Sequence, residues 1–479
     1  MLKKKFNVRI ESINIKNFKN IVNGTVEIAK LVNNRFLGPS ILGIYGQNGS
    51  GKTTLIQVIE IVKLLIMGKS LPEEIIDIVS IDSDSCEFTI DFIITDNETE
   101  MYMASYNVCL NVIEEEIDNT LDSLGSISKK KKLVLTRENL SASLVDLKEN
   151  KSCVKFAPII DCNNNSDKIF TPLTKLNSLT GGSKEIQKNL MFNKRICFDK
   201  TKSFIFSLDT LKAFRNNSSD HFSMRVIENL VNFANANLFT IGTKNSGLIN
   251  LNVALPFNFK FTNNNTATIG NVAIRLNGVS IIPVAAFKLV NASIKSMNMV
   301  LSQIIPNLTI MLEEVGRQND SNGAEFVQVQ LYSKRGDKKI SLKNESEGIK
   351  KLVSVLQLLI TMFNDPSTTV AIDELDSGIF EYLLGELLRI ISRQAKGQLI
   401  FTSHNLRALE TIDKKYVYFT TTNPENRYVK MAYVSANNNL RDFYFHELLL
   451  GGQKEELYEQ TNNGAIALAF KEAGECVGS

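Results

Sequence analysis

Residues 46–53 read GQNGSGKT, with Thr54 following, and fit the pattern G-x-x-x-x-G-K-[ST] at every fixed position. The glycines permit backbone conformations that turn successive N–H groups towards one point, and phosphate oxygens are the acceptors such a nest suits. Gly46, Asn48, Gly49, Ser50, Gly51, Lys52, Thr53 and Thr54 are therefore the candidate nucleotide-binding residues. Lys52 is placed to reach the β- and γ-phosphates, and Thr53 to offer a hydroxyl to Mg²⁺. The alternative is a glycine-rich turn that fits by chance. An apolar strand before it and a helix after it favour the phosphate reading.

Phosphoryl chemistry also needs a carboxylate at the metal. The segment TTVAIDELDSG, residues 368–378, ends an apolar run in Asp373 and Glu374. Asp373 is the candidate Mg²⁺ ligand, and Glu374 the group that polarises the attacking water. Two solvated acids at a strand end are the plain alternative. One of the chain's three histidines, His404, follows the apolar run LIFTS. A neutral imidazole there would bond to the γ-phosphate or the attacking water; taken alone, it reads equally as a surface histidine in a loop.

These residues need strands and helices to hold them. RIESINIKNF alternates apolar and polar residues, GTVEIA follows as a second strand, and SILGIYG runs as a buried strand into the glycines. Leu55, Val58, Ile59, Val62 and Leu65 form one helical stripe. CEFTIDFIITDNETEMYMASYNVCLNVIEEEI reads as antiparallel strands with an Asp-Asn turn. Helices at EGIKKLVSVLQLLITMF and FEYLLGELLRIIS alternate with strands at TTVAIDE and GQLIFTSH, which implies a parallel sheet with its site at the strands' carboxyl ends. Between about 115 and 335 the pattern is weaker. SISKKKK and DCNNNSDK read as loops, MRVIENLVNFANANL as a helix, and TNNNTATIG as a turn between strands. The lysine run 129–132 is either a solvated loop or a contact for a phosphodiester backbone.

With 479 residues, 43% hydrophobic and 22% charged, the chain has the composition of an ordinary globular protein. A net charge of +3 gives no global case for nucleic acid. The six cysteines show no CxxC pair, so neither a zinc site nor a disulfide framework is expected, and a reducing cytoplasm is the simplest setting. No secretory leader or membrane span is expected.

The order of lysine loop, long insertion, Asp-Glu strand and Ser-His strand resembles the ABC-type ATPases of the SMC, RecF and OLD group. Within it, the chain looks like the AAA-type (ABC-like) ATPases of bacterial phage-defence systems such as PARIS, Septu and retron modules. The resemblance covers roughly residues 8–110 and 295–445. It implies an α/β P-loop NTPase fold: an ABC-type head with an antiparallel β subdomain, a parallel core sheet and a mixed α/β insertion. The implied divisions are 1–115 for the first half of the head, 116–295 for the insertion, 296–445 for the second half and 446–479 for a helical tail.

Several residue roles follow from this resemblance alone. Lys19, in INIKNFKNI, would lie near the phosphates. Ser346, Glu347 and Gly348 match the S-x-G core of the ABC signature at a helix start, where an ordinary cap by Ser346 is the alternative. That motif closes on the ATP of a second subunit, which implies head-to-head dimers or larger homo-oligomers. Asp376, in LDSG, would cross the same interface. The group's loop glutamine has no counterpart, since no Gln stands between Gln57 and Gln187. Asp82 or Asp84 replaces it, or hydrolysis is slow.

The implied function is an ATP- and Mg²⁺-dependent sensor or scaffold in antiviral defence that controls a separate effector, a nuclease or toxin. Only about 75 residues follow His404, too few for a nuclease domain as well as the end of the head, so a nuclease would come from another chain. The alternative is a RecF- or SMC-like repair ATPase that clamps DNA; an ATP-binding scaffold with little turnover is a third reading. The tail after residue 446 either docks a partner or covers the head.

Overall fold

The computed structural model describes residues 5–28, 39–79, 83–118, 127–242, 247–249, 251, 253–263, 266–321, 323–431, 440–450, 455–458 and 462–476. Strand β1 (Asn7–Phe18) shows how its sequence sets its shape. Its buried apolar residues step by two from Val8 to Ile10 and from Ile13 to Ile15, with the phase broken between. The break is a bulge: pairing with β4 (Ser85–Thr95) passes from Ile10 opposite Phe92 to Ser12 opposite Asp91. One extra residue re-aims its neighbours, so both halves keep their isoleucines in the core.

The antiparallel sheet runs β2 (Ile21–Glu27), β1, β4, β5 (Glu100–Asp118), β6 (Ile127–Asp146), β7 (Lys151–Asn163). Asp96 makes the expected β4–β5 turn, accepting the N–H groups of Glu98, Thr99 and Glu100. The lysine run is not a loop. It lies in β6, in register with β5, so that Glu114, Glu115 and Glu116 stand opposite Lys131, Lys130 and Lys129. Lys132 pairs with Asp199 at 3.0 Å.

The core sheet runs β18 (Tyr428–Val429), β17 (Val417–Thr420), β3 (Ser40–Tyr45), β16 (Gln398–Thr402), β15 (Thr369–Ile372), β8 (Leu238–Ile241). All its pairs are parallel except β17–β18. Its strands are buried on both faces, which explains their continuous apolar runs. Leu42 and Ile44 face the first core with α1 (Lys52–Ile66); Ile41 and Tyr45 face the second. Ile56, Ile61 and Ile66 of α1 are buried beside the expected stripe, because the helix is enclosed on nearly every side. Arg9, buried at the bulge, donates to Ser40 Oγ at 2.9 Å and to Lys396 O. The Gln398 amide exchanges two bonds with the Ile10 backbone. These contacts stitch the two sheets together.

Helices α2 (Leu173–Thr180), α3 (Lys184–Asp199), α4 (Leu208–Asn217) and α5 (His221–Ala236) follow the first sheet. Fully buried Glu138 ties the segment after α3 to β6, accepting from Tyr106 Oη, Ser203 Oγ and the N–H groups of Phe204 and Ile205. The expected division at 115/116 falls inside β5. Residues 116–295 supply β6 and β7 to the first sheet and β8 to the core sheet.

A further lobe contains the hairpin β9 (Ala254–Asn263) and β10 (Thr266–Arg275), and the sheet of β11 (Ser280–Pro283), β12 (Leu308–Asn319), β13 (Glu325–Arg335) and β14 (Lys338–Ser341). Helix α6 (Val284–Ile304) packs on it. Helix α7 (Glu347–Asn364) bridges two cores, with Leu352, Val353 and Leu356 in this lobe and Val355, Leu358 and Met362 under the core sheet beside α8 (Glu381–Gln394). Tail helix α9 (Leu440–Leu450) covers the head, its Tyr444 stacked on Phe419 at 4.8 Å; α10 (Asn463–Cys476) is exposed over residues 463–473. Among the described residues no helix is long and apolar enough to cross a membrane.

Candidate nucleotide site

The glycine loop leaves β3, Asp373 follows β15, and His404 follows β16, so parallel pairing delivers all three to one edge of the core sheet. There a cleft of about 300 Å³ is lined by Lys19, Asn20, residues 48–54, Glu374, Thr402 and His404. Gly46 and Gly49 serve different ends. Gly46 has φ 147°, and a Cβ there would lie 1.8 Å from Thr420 Oγ1, so the neighbouring strand excludes a side chain. Gly49 has φ 74° and nothing within 4 Å of an added Cβ, so its requirement is conformational and its outer side is open.

Lys52 opens α1 and is buried, its ammonium donating to Gly46 O at 2.8 Å and Gln47 O at 2.7 Å. Burial draws its pKa down to about 8, against the pull of Asp373, Asp376 and Glu374. Burial likewise lowers Lys19, with Asp373 opposing. Lysines lying near carboxylates give the cleft the mixed field that a magnesium-bound polyphosphate needs.

Thr53 Oγ1 donates to Asp373 Oδ1 at 3.2 Å, and Thr402 Oγ1 donates to the same oxygen at 2.6 Å. Asp373 is 1% exposed. The hydroxyl and carboxylate expected to hold Mg²⁺ are thus adjacent hard oxygen donors, a fit for an ion that completes its octahedron with water and phosphate. Among the described residues no three His, Cys, Asp or Glu side chains are grouped for a metal. Glu374 has φ 49°, a rare conformation for this residue, and its N–H is held by Thr402 Oγ1 at 2.8 Å. Strain of this kind concentrates at functional sites. Burial and then Lys52 lower the His404 pKa, which favours the neutral imidazole.

Ser346, Glu347 and Gly348 are not part of this cleft. Ser346 is exposed and caps α7, accepting the Ile349 N–H at 3.4 Å; Glu347 is also exposed. Gly348 packs against the turn after Glu374: a Cβ there would lie 1.9 Å from Gly378 O. The ordinary cap by Ser346 is present. Asp376 also bonds within its own chain. Its Oδ2 accepts the N–H groups of His404 and Asn405 at 3.0 and 2.9 Å, which fixes the histidine loop. Asp84 also stands apart from the cleft, where its carbonyl accepts the Val112 N–H, and Asp82 lies outside the described residues.

Sequence reasoning passed over Asn20, Thr402, Thr420 and Tyr428. Thr402 carried a signal, as a polar residue closing an apolar strand just before His404. Asn20, whose amide donates to Gly49 O, adjoins Lys19. Thr420 and Tyr428 meet the loop only through the fold.

A P-loop ATPase is the class these features define, and the family comparison agrees: residues 9–407 match the AAA ATPase domain. The chain belongs to that family. No curated protein matches it in sequence. Among solved structures it is similar to an Smc head bound to the C-terminal winged-helix domain of ScpA (13% identity, 88% of this chain and 98% of that one, TM-score 0.39). It is also similar to the SMC head domain from Thermotoga maritima (15%, 88% and 99%, 0.32) and the recombination mediator RecF with a bound ATP analogue (14%, 89% and 99%, 0.32). At such scores the family match and the chain's own geometry carry the assignment.

Proposed function

We propose that this ATPase binds ATP with Mg²⁺ in the cleft, hydrolyses it slowly, and closes its site with a second copy of itself. One observation supports the reading: the cleft is lined by the glycine loop with Lys52 and Thr53 and by Glu374 at φ 49°, Asp373 lies directly behind Thr53, and Ser346 stands exposed outside. A helix N-terminus offers unpaired N–H groups to an anion, so Ser346, Glu347 and Gly348 suit a phosphate presented by another protomer. Head-to-head pairing supplies one.

In this reading the loop N–H groups, Lys52 and Lys19 bind and orient the triphosphate. Thr53 and Asp373 hold Mg²⁺, which when bound neutralises charge developing on the phosphate oxygens. Glu374 orients the water and accepts its proton, and neutral His404 bonds to the γ-phosphate. Slow turnover follows from the missing loop glutamine, since among the described residues of that segment no acid, Asp84 included, lines the cleft.

The wider role, a sensor or scaffold that controls a separate effector in antiviral defence, is supported by the motif order and its resemblance to defence ATPases. The test compares the parent chain with Glu374→Gln. The variant should bind ATP, lose roughly 100-fold in turnover and sediment as a dimer only with ATP. Parent-like turnover in the variant would remove Glu374 from catalysis. Phage plating with the neighbouring genes present should show protection that Lys52→Ala abolishes. ATP-dependent, salt-sensitive retention of duplex DNA without such protection would transfer the reading to a RecF- or SMC-like repair ATPase.

A further inference from the structure

The phosphate loop has a back as well as a front. Its front lines the cleft, and its back rests on the hairpin of β17 and β18. Thr420, the last residue of β17, places its hydroxyl 2.5 Å from Ser50 Oγ, and Ser50 Oγ donates to Gln47 O at 2.6 Å. Gln47 O is one of the two carbonyls that receive the Lys52 ammonium. Thr420 Oγ1 also lies 3.3 Å from Tyr45 O, where the strand gives way to the loop. The shorter distances define a relay from Thr420 through Ser50 to the Lys52 acceptor. On the next strand, Tyr428 Oη donates to Gly51 O at 2.7 Å, the peptide directly before Lys52. Tyr428 is 4% exposed, and burial pushes its phenol well above the usual range, so it remains a donor across working pH. Its ring fills the space beside Gly24, where a Cβ would approach within 2.8 Å.

We infer that Thr420 and Tyr428 are positioning residues for nucleotide binding: neither lines the cleft, yet from behind it Thr420, through Ser50, fixes Gln47 O and Tyr428 fixes Gly51 O, both in the loop that leads into Lys52. Holding Gln47 O and Gly51 O directs these acceptors away from the triphosphate and leaves the intervening N–H groups facing the cleft. A loop without these anchors would have to be ordered by the ligand, at the expense of affinity. Neither residue belongs to the G-x-x-x-x-G-K-[ST] pattern, and both arrive from a hairpin near the other end of the chain. The inference rests on the cleft being an ATP site, as proposed above.

The test measures equilibrium affinity for a fluorescent ATP analogue with Mg²⁺ in the full chain, alongside thermal unfolding. Tyr428→Phe keeps the ring and removes only the hydroxyl; Thr420→Val keeps the shape, and Thr420→Ser restores the hydroxyl. Loss of one buried neutral hydrogen bond at the loop should weaken binding about five-fold in Tyr428→Phe and in Thr420→Val. Thr420→Ser should return to the parent affinity. If Tyr428→Phe and Thr420→Val bind like the parent and only unfold at lower temperature, the hydroxyls are merely structural and the inference fails. Lys52→Ala separates this failure from that of the cleft: parent-like binding by Lys52→Ala would show that the site itself is misassigned. Should Thr420→Val not fold, Tyr428→Phe decides alone.

Discussion

The cleft around Lys52 and the face around Ser346 border the same core sheet, yet only one is finished within the chain. In the cleft, Lys52 has two carbonyls, Asp373 has Thr53 and Thr402, and Glu374 has its backbone held by Thr402. At the other face Ser346 does no more than cap its own helix, and Gly348 is pressed against Gly378. In the proposed reading the finished cleft binds nucleotide, and the exposed helix start meets a second copy. The two regions should therefore fail in different ways.

Lys52→Ala should have the largest effect. Removing a buried cation that meets phosphate costs about 4 kcal/mol, roughly 1,000-fold in ATP affinity, and equilibrium titration checks it. Ser346→Arg should do the reverse. It leaves the cleft intact, so ATP affinity stays at the parent value, while turnover falls roughly 100-fold and ATP-dependent association disappears. Loss of ATP binding in Ser346→Arg would dissolve the contrast, because both regions would then serve one site in one chain.

Acidity sharpens the same contrast. Lys52 in the empty cleft titrates at about 8 because burial disfavours its charge, and a bound triphosphate raises that value. Above pH 8, ATP binding must therefore take up a proton. Affinity should be flat below pH 8 and fall by up to about tenfold per unit above it. Affinity that stays flat to pH 10 would mean Lys52 is charged throughout in the empty cleft. At saturating nucleotide Lys52 stays charged, so ATP-driven association should not share the profile.

Legibility in the sequence follows the distance over which each feature is specified. The phosphate loop, the Asp373 strand and the His404 strand were readable because each is a contiguous run whose period, composition and motif coincide. Strand β8 was not. Its four residues, Leu238–Ile241, gain meaning only by pairing with Thr369–Ile372. The lysines of β6 misled for a related reason, since a dense charge run reads as a solvated loop until its register opposite Glu114–Glu116 is known. Asp376, which the resemblance puts at an interface, accepts two N–H groups of its own chain through Oδ2, a contact that no local pattern announces. Thr420 and Tyr428 lie in a short hairpin with no motif, and only tertiary adjacency joins them to Ser50 and Gly51.

The smallest effect tests how far that adjacency extends. The turn of the β17–β18 hairpin is strapped by the tail: Glu455 accepts from the side-chain amides of Asn423 at 2.9 Å and Asn426 at 3.0 Å, and the Thr422 N–H donates to Glu456 O at 2.8 Å. Both amides lie at or near the surface, where such bonds contribute little because water competes. Glu455→Ala removes two of them without touching the cleft or the Ser346 face, so ATP affinity should fall only about two-fold. An effect larger than that of Tyr428→Phe would reverse the order, since a remote strap cannot act through the hairpin more strongly than the hydroxyl that contacts the loop. No effect would confine the strap to holding the tail, and the boundary of the finished region would then lie at Thr420 and Tyr428.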